Sequence, residues 1–243
     1  MQHQGSVRTG DDVVGVTTFC TYPPEAKTKP RVGGITNPSI ETIVSLRPDL
    51  ILMSMEGNVR DDFSVMVSLG IPVFVTNPRT LSGIHKSIND IGILTGHVAG
   101  ATVLVHAMKA AEDSIIALAS SQRPVRLYLL VSLQPIIVVG KGTFLNELLH
   151  LVGADNLAAQ APSTYPMLSR EAIVESQPDD LLFTSDIVVR ADALVALYPE
   201  WSTLKAIRDV KTFGVDADII SRPGPRVVDA MKLLYQVIHP TTQ

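Results

Sequence analysis

Apolar residues fall along this chain in two rhythms. Short uninterrupted apolar runs, bounded by Gly, Pro, Asn or Asp, predict buried strands at 13–16, 72–75, 126–131, 136–139 and 212–215. Longer stretches with an apolar residue every third or fourth position predict helices over 61–69, 81–94, 97–121, 143–152, 190–198 and 225–238. Strands alternating with helices at this spacing predict an α/β fold in which parallel sheets carry helices on both faces.

One stretch is written twice. Residues 39–52, SIETIVSLRPDLIL, return as 169–182, SREAIVESQPDDLL, with seven of the fourteen positions identical at a constant offset of 130 (169 minus 39). In each copy a serine stands where a helix N-cap would, and a glutamate follows in the first turn, where the helix dipole favours negative charge. A Pro-Asp pair then ends the helix and an apolar run follows as a strand. Two copies this far apart predict two doubly wound lobes of similar construction, because a solenoid repeat would recur every 20 to 50 residues or so. The lobes are expected at 1–96 and 122–243. Residues 97–121 would form a single helix, about 30 Å long or more, joining them with little relative movement. Its apolar residues Val103, Ala107, Ala110, Ile115 and Leu118 predict a broad face rather than a narrow seam. Pro225 is placed in the first turn of the last helix.

Between the first strand and the first repeat lies FCTYPPEAKTKPRVGG, 19–34, read as an irregular loop of the length that carries function. Gly140-Lys141-Gly142 lies between a strand and a helix, but Leu145 stands where the third glycine of a dinucleotide fingerprint belongs, and a tight turn is expected.

Composition removes whole classes of function. The net charge of -4 gives no footprint for nucleic acid, and no run is long and apolar enough to span a bilayer. The single Cys20 excludes an internal disulfide, and the six histidines form no ligand pair at helical spacing, so no metal site or resident cofactor is expected. No nucleophile elbow is present, and Asp61-Asp62 and Asp179-Asp180 read as caps at element starts, so no catalytic residue is assigned. Aromatics are few, and Tyr22 and Tyr165 both lie in loops of the kind that collect ligands beyond strand ends. Two facing lobes would set these rings on opposite walls of a cleft, suited to an apolar or conjugated ligand.

The runs VVGVTTFCTYPPEAKTKPRVGG, NPSIETIVSLRPDLIL, LGIPVFVTNPRTL, YPMLSREAIVESQPDDLLF and SRPGPRVVDAMKLL together resemble the cobalamin-type periplasmic binding proteins of ABC transporters. These belong to the helical-backbone class, which also serves iron siderophores and haem. The resemblance spans about 12–238. It implies two α/β lobes joined by one long helix, with a ligand cleft between them, and a protein that hands its cargo to membrane permease subunits without catalysis. Glu41 and Glu171 match the glutamates that dock onto permease arginines. Tyr22, Tyr165 and Arg222 match positions that line the cleft, while Arg226 matches the pattern in a structural role.

Two departures shape the expectation. Family cobalamin binders carry tryptophans near the positions of Gly34 or Ile35 and of Ser54, whereas the one tryptophan here is Trp201. The implied ligand is therefore cobalamin first, with a smaller corrinoid or an iron chelate open. Members also begin with a signal peptide and a strand-helix unit, and here the polar segment 1–10 stands where that unit should end. The first lobe is expected to lack its initial strand and helix, which opens a sheet edge to pairing between copies of an otherwise monomeric protein located in the periplasm or outside the cytoplasmic membrane. The alternative is a cytoplasmic α/β enzyme using the cleft for a nucleotide or cofactor; a minor third reading is an interaction protein that has kept the fold and lost its ligand.

Overall fold

The computed structural model describes residues 10–55, 60–185, 187 and 190–240. The polar opening segment and the expectation attached to it lie outside the described residues, apart from Gly10. The chain divides into two compact units, one of Met1–Pro78 with Lys86–Leu104, the other of Arg79–His85 with Val105–Gln243.

The first unit is built on α1 (Ile40–Ser45), β1 (Ile51–Ser54), α2 (Arg60–Ser68) and β2 (Val73–Thr76), followed by most of α3 (Leu81–Leu94) and the start of α4 (Val98–Ser120). Strands β1 and β2 pair in parallel from Ile51↔Val73 to Ser54↔Thr76. Helix α2 supplies the crossover that a parallel pair requires. Ile43, Met53 and Met66 form the buried centre, with Val32, Ile40, Ile51 and Val73 packed around them. The strand expected at 13–16 is reduced to one bridge, Val16 to Arg31, with Val16 N–H donating to the Pro30 carbonyl at 3.0 Å and Val32 N–H to the Val16 carbonyl at 3.0 Å. Gly15 interrupts the apolar run, and among the described residues the pairing continues past the bridge only through the Thr18 N–H bond to the Gly33 carbonyl at 2.9 Å. The loop after it also carries more order than its prolines suggested, since Pro24–Thr28 form a 3-10 turn.

The second unit holds β3 (Val125–Leu133), β4 (Ile136–Val138), α5 (Phe144–Leu151), β5 (Ala154–Asn156), α6 (Arg170–Ser176), β6 (Asp180–Thr184), α7 (Ala191–Leu197), α8 (Lys205–Arg208), β7 (Thr212–Val215), α9 (Ala217–Ile220) and α10 (Val227–Ile238). Its strands run in the order β4-β3-β6-β7, with β5 also paired to β3. Pairings of β3 with β5 and β6, and of β6 with β7, are parallel, as alternation predicts. The β3–β4 pair is antiparallel instead, because the short Gln134-Pro135 link leaves no room for a crossover helix. Leu127, Leu129, Leu130, Leu181, Leu182 and Phe183 on the central strands are fully buried, each worth roughly 1.5–3 kcal/mol of burial. Trp201 is also fully buried, its ring 4.8 Å from that of Tyr198.

Helix α4 buries Ala101, Val105, Met108, Glu112, Ile115 and Ala119, a stripe stepping by four and three residues, while Val103 and Leu118 are exposed. The broad apolar face expected there is thus a narrow seam, and a charged residue sits in it. Glu112 is accommodated by His85, whose Nε2 lies 3.0 Å from Oε1 of the carboxylate. Helix α10 begins at Val227, so Pro225 precedes the helix rather than opening its first turn.

Candidate functional site

The two copies of the repeated stretch fold through the same devices, although α1 and β1 are each one residue shorter than α6 and β6. Ser39 caps α1 by accepting from the Thr42 N–H at 3.3 Å, and Ser169 caps α6 by accepting from the Ala172 N–H at 3.1 Å. Ile43 and Ile173 are the buried residues of their helices. Each helix is stopped by a non-glycine residue in left-handed backbone, Arg47 at φ 48° and Gln177 at φ 42°, again 130 apart. A left-handed residue satisfies late helix carbonyls and turns the chain toward the strand, and the proline that follows cannot continue the helix.

This shared construction presents Glu41 and Glu171 as exposed carboxylates in the first turn of each helix. Hydrogen bonds from its own backbone N–H and from the Ser169 hydroxyl hold the Glu171 carboxyl below its ordinary range, so it stays anionic. Around it, Arg170, Val174, Glu175 and Glu200 line a shallow open depression. The Arg170 guanidinium lies 3.4 Å from Glu200 and 5.6 Å from the centre of the Tyr198 ring. Glu171 thus stands on a mainly anionic surface.

The tyrosines lie on loops held by backbone hydrogen bonds. Tyr22, 60% exposed, precedes the 3-10 turn in the first unit. Tyr165, 47% exposed, belongs to the second unit and sits in a segment stitched to β4 and the turn after it. There Gly140 N–H donates to Thr164 at 2.8 Å, Val138 N–H to Pro166 at 3.1 Å and Leu168 N–H to Ile136 at 3.0 Å. Gly140 is required for this approach, since a Cβ there would lie 2.6 Å from the Ser163 carbonyl oxygen and 2.7 Å from the Pro166 ring. The Gly-Lys-Gly turn is therefore a seat for the loop that carries Tyr165, consistent with the tight turn expected and unlike a phosphate cradle. Arg222, half-buried at the end of α9, pairs with the Asp218 carboxylate one helical turn earlier. Arg226 is the N-cap residue of α10.

Several other polar groups hold the fold together. Asp61 and Asp62 lie inside the first turn of α2, where the helix dipole favours negative charge, rather than at its cap. Asp179 and Asp180 are not caps. Lys205, 2.6 Å away, holds the Asp179 carboxyl below its ordinary range, and Asp179 also accepts from the Arg126 N–H at 3.2 Å. Asp180 is 3% exposed, and burial pushes its carboxyl up to about 6. Glu147, raised by burial, accepts from the Leu81 N–H at 2.7 Å at the start of α3. His97 and His239 each bond a backbone carbonyl, of Thr95 and Val152. Among the described residues no group of three or more His, Cys, Asp or Glu is arranged to hold a metal ion, and no helix is long and apolar enough to cross a membrane. Trp201, sealed in the core of the second unit, is not available to a ligand.

Sequence reasoning passed over Phe19, 54% exposed in the same loop as Tyr22. The scarcity of aromatics that singled out the tyrosines applies to it equally. It also passed over Arg31, whose contacts with that loop only the folded backbone reveals.

Comparison with known proteins gives this arrangement its context. Residues 7–219 match the family described as Periplasmic binding protein. An ABC transporter substrate-binding lipoprotein of Bacillus subtilis, YvrC, itself of uncharacterized role, is 34% identical over 96% of this chain and 75% of its own length. The crystal structure of the periplasmic vitamin B12-binding protein BtuF of Vibrio cholerae is similar at a TM-score of 0.83 and 25% identity, covering 96% of this chain and 90% of that one. The periplasmic haem-binding protein BhuT, solved with two haems, matches at a TM-score of 0.83 and 26% identity over 93% of this chain and 88% of its own. With the family match running through both copies of the repeated helix and strand, the chain belongs to the periplasmic binding protein family.

Proposed function

We propose that this chain is the substrate-binding protein of an ABC importer, which captures a cobalamin-like corrinoid or a related metal chelate outside the cytoplasmic membrane and delivers it to the permease subunits. The observation that carries this reading is the twin presentation of Glu41 and Glu171 at the same point of the same capped helix, in a chain whose residues 7–219 match the family. Two equivalent anions suit two equivalent arginine sites on a symmetric permease, and charge complementarity of this kind sets orientation and encounter rate. The helix-start role of both glutamates is compatible with docking, since an exposed first-turn carboxylate serves both.

Tyr22, Tyr165 and Arg222 are the proposed ligand contacts. Exposed phenol rings offer flat apolar faces to a conjugated macrocycle and a hydroxyl to its polar rim. The Arg222 guanidinium, paired with Asp218, would bond a carboxylate or phosphate carried by the ligand. No catalytic role and no resident cofactor is assigned. The family and the relatives named above are transport-related binding proteins, and the alternative of a nucleotide-using cytoplasmic enzyme finds no support in them.

The test of delivery is charge reversal. Glu41→Arg with Glu171→Arg is expected to abolish uptake of labelled cyanocobalamin or haemin through the partner permease while ligand affinity in solution stays at the wild-type value. Undiminished uptake by the double variant would remove the docking role.

A further inference from the structure

Residues 17–20 form a β-turn, closed by the Cys20 N–H donating to the Thr17 carbonyl at 3.1 Å, with Thr18 and Phe19 at its corners. The half-buried Arg31 side chain reaches back to this turn from the next segment. Its Nη1 donates to the Thr17 carbonyl at 2.7 Å and to the Cys20 carbonyl at 3.0 Å, so one guanidinium nitrogen ties both ends of the turn. The Thr18 N–H donates to the Gly33 carbonyl at 2.9 Å, and the Thr17 hydroxyl lies 3.3 Å from the Cys20 thiol. Gly33 sits at φ 93°, where an added Cβ would lie 2.8 Å from the Asn37 carbonyl oxygen, so the segment that carries Arg31 is itself held in a fixed path. Two aromatic side chains ride on this turn and its exit, Phe19 at 54% exposure and Tyr22 at 60%. Both exposed rings are thus carried by a loop whose backbone is tied at several points, the kind of ordered surface loop that positions binding residues.

We propose that Arg31 is a positioning residue which locks the Thr17–Cys20 turn so that Phe19 and Tyr22 form one preorganised aromatic surface for a conjugated macrocyclic ligand, with Phe19 a contact alongside Tyr22. The inference rests on the reading of this chain as a chelate-binding protein. A loop that is already ordered pays no ordering cost when the ligand arrives, and affinity gains accordingly. Arginine suits the task because its fixed fork keeps a charged donor on two carbonyls at once without losing its proton.

The experiment measures haemin binding by absorbance and cyanocobalamin binding by calorimetry for Arg31→Met, Arg31→Gln and Arg31→Lys, each in the wild-type and in a Phe19→Ala/Tyr22→Ala background. Arg31→Met is expected to weaken binding about tenfold, Arg31→Lys to recover most of the loss, and Arg31→Met to cost nothing further once both rings are gone. Arg31→Gln keeps a donor and part of the stem, so a Met variant that fails to fold leaves the comparison standing. An equal loss in both backgrounds would overturn the inference, since Arg31 would then act without the aromatic pair. So would wild-type affinity in the Arg31 variants while Phe19→Ala/Tyr22→Ala binds weakly. Unchanged affinity in Phe19→Ala/Tyr22→Ala would overturn it as well, whereas failure of the wild type to bind these probes, cobinamide or a ferric siderophore would refute the ligand reading on which the inference stands.

Discussion

Asp180→Asn is the perturbation whose size follows most directly from the structure. Asp180 opens β6 with only 3% of its surface exposed, and its Oδ2 is buried without a hydrogen-bond partner. Burial pushes the carboxyl from 3.8 to about 6; Lys211 and Lys205 pull it down, and Asp179 pushes it further up. A carboxyl whose folded-state value lies above its unfolded value binds its proton more tightly in the native state. Its contribution to stability is therefore fully present below pH 3.8, falls as pH rises and is gone above about pH 6. At about 1.4 kcal/mol per pH unit the whole interval is worth about 3 kcal/mol, of which about 2 kcal/mol is lost between roughly pH 4.5 and 7.5. Asparagine has nothing to titrate, so the stability gap between variant and wild type should move by about 2 kcal/mol in favour of the variant over that range. The amide adds a constant offset of its own, which the comparison across pH removes. Urea unfolding followed by tryptophan fluorescence is the assay, because the one tryptophan, Trp201, is fully buried in the core of the same unit as Asp180. A gap that stays flat from pH 4.5 to 7.5, to within about 0.5 kcal/mol, would refute the reasoning.

Three further outcomes are expected. Gly140→Ala places a methyl group against the Ser163 carbonyl and Pro166, so it should cost about 1–3 kcal/mol and weaken haemin or cyanocobalamin binding by moving the Tyr165 loop; unchanged stability and affinity would show that the seat yields freely. Ser169→Ala removes the cap on the Ala172 N–H and should lower stability by about 0.5–2 kcal/mol, read from the Trp201 transition. Arg47→Gly relieves left-handed backbone worth about 1–2 kcal/mol against the greater chain entropy of glycine, so urea unfolding should show no destabilisation, and a clear loss would mean that the Arg47 side chain contributes more than its backbone costs.

The repeated helix and strand were legible in the sequence because every device in them is local. A serine cap, a first-turn glutamate, one buried isoleucine and a Pro-Asp stop each act within a turn of where they are written. The left-handed stops at Arg47 and Gln177 were not legible, because neither residue type announces that backbone. The antiparallel turn of the β3–β4 pair was hidden by reading strands as beads in an alternation instead of asking what a short link permits. Elements such as β5, α8 and α9 are too short to show a period, and exist because the sheet and the long helices hold them.

The functional residues divide along the same line. Glu41, Glu171, Tyr22, Tyr165 and Arg222 came from local patterns and from the family resemblance that those patterns carry. The side chains that arrange the surroundings act at long range in the sequence. Arg31 reaches Thr17 and Cys20, Glu147 holds the first turn of α3 from α5, and His85 answers Glu112 across two helices. No periodicity encodes such pairs. Asp180 was misplaced for the same reason, since it is buried where β6 pairs with Leu127 of β3, a neighbour more than fifty residues away in the chain.

Equilibrium titration of the purified protein tests capture most directly, with cyanocobalamin, cobinamide, haemin and a ferric siderophore set beside ATP and NAD. The account predicts binding of at least one corrinoid or chelate at about micromolar affinity or tighter, with Phe19→Ala/Tyr22→Ala weakening it. Preferential binding of ATP or NAD, with no response to any corrinoid or chelate, would contradict it.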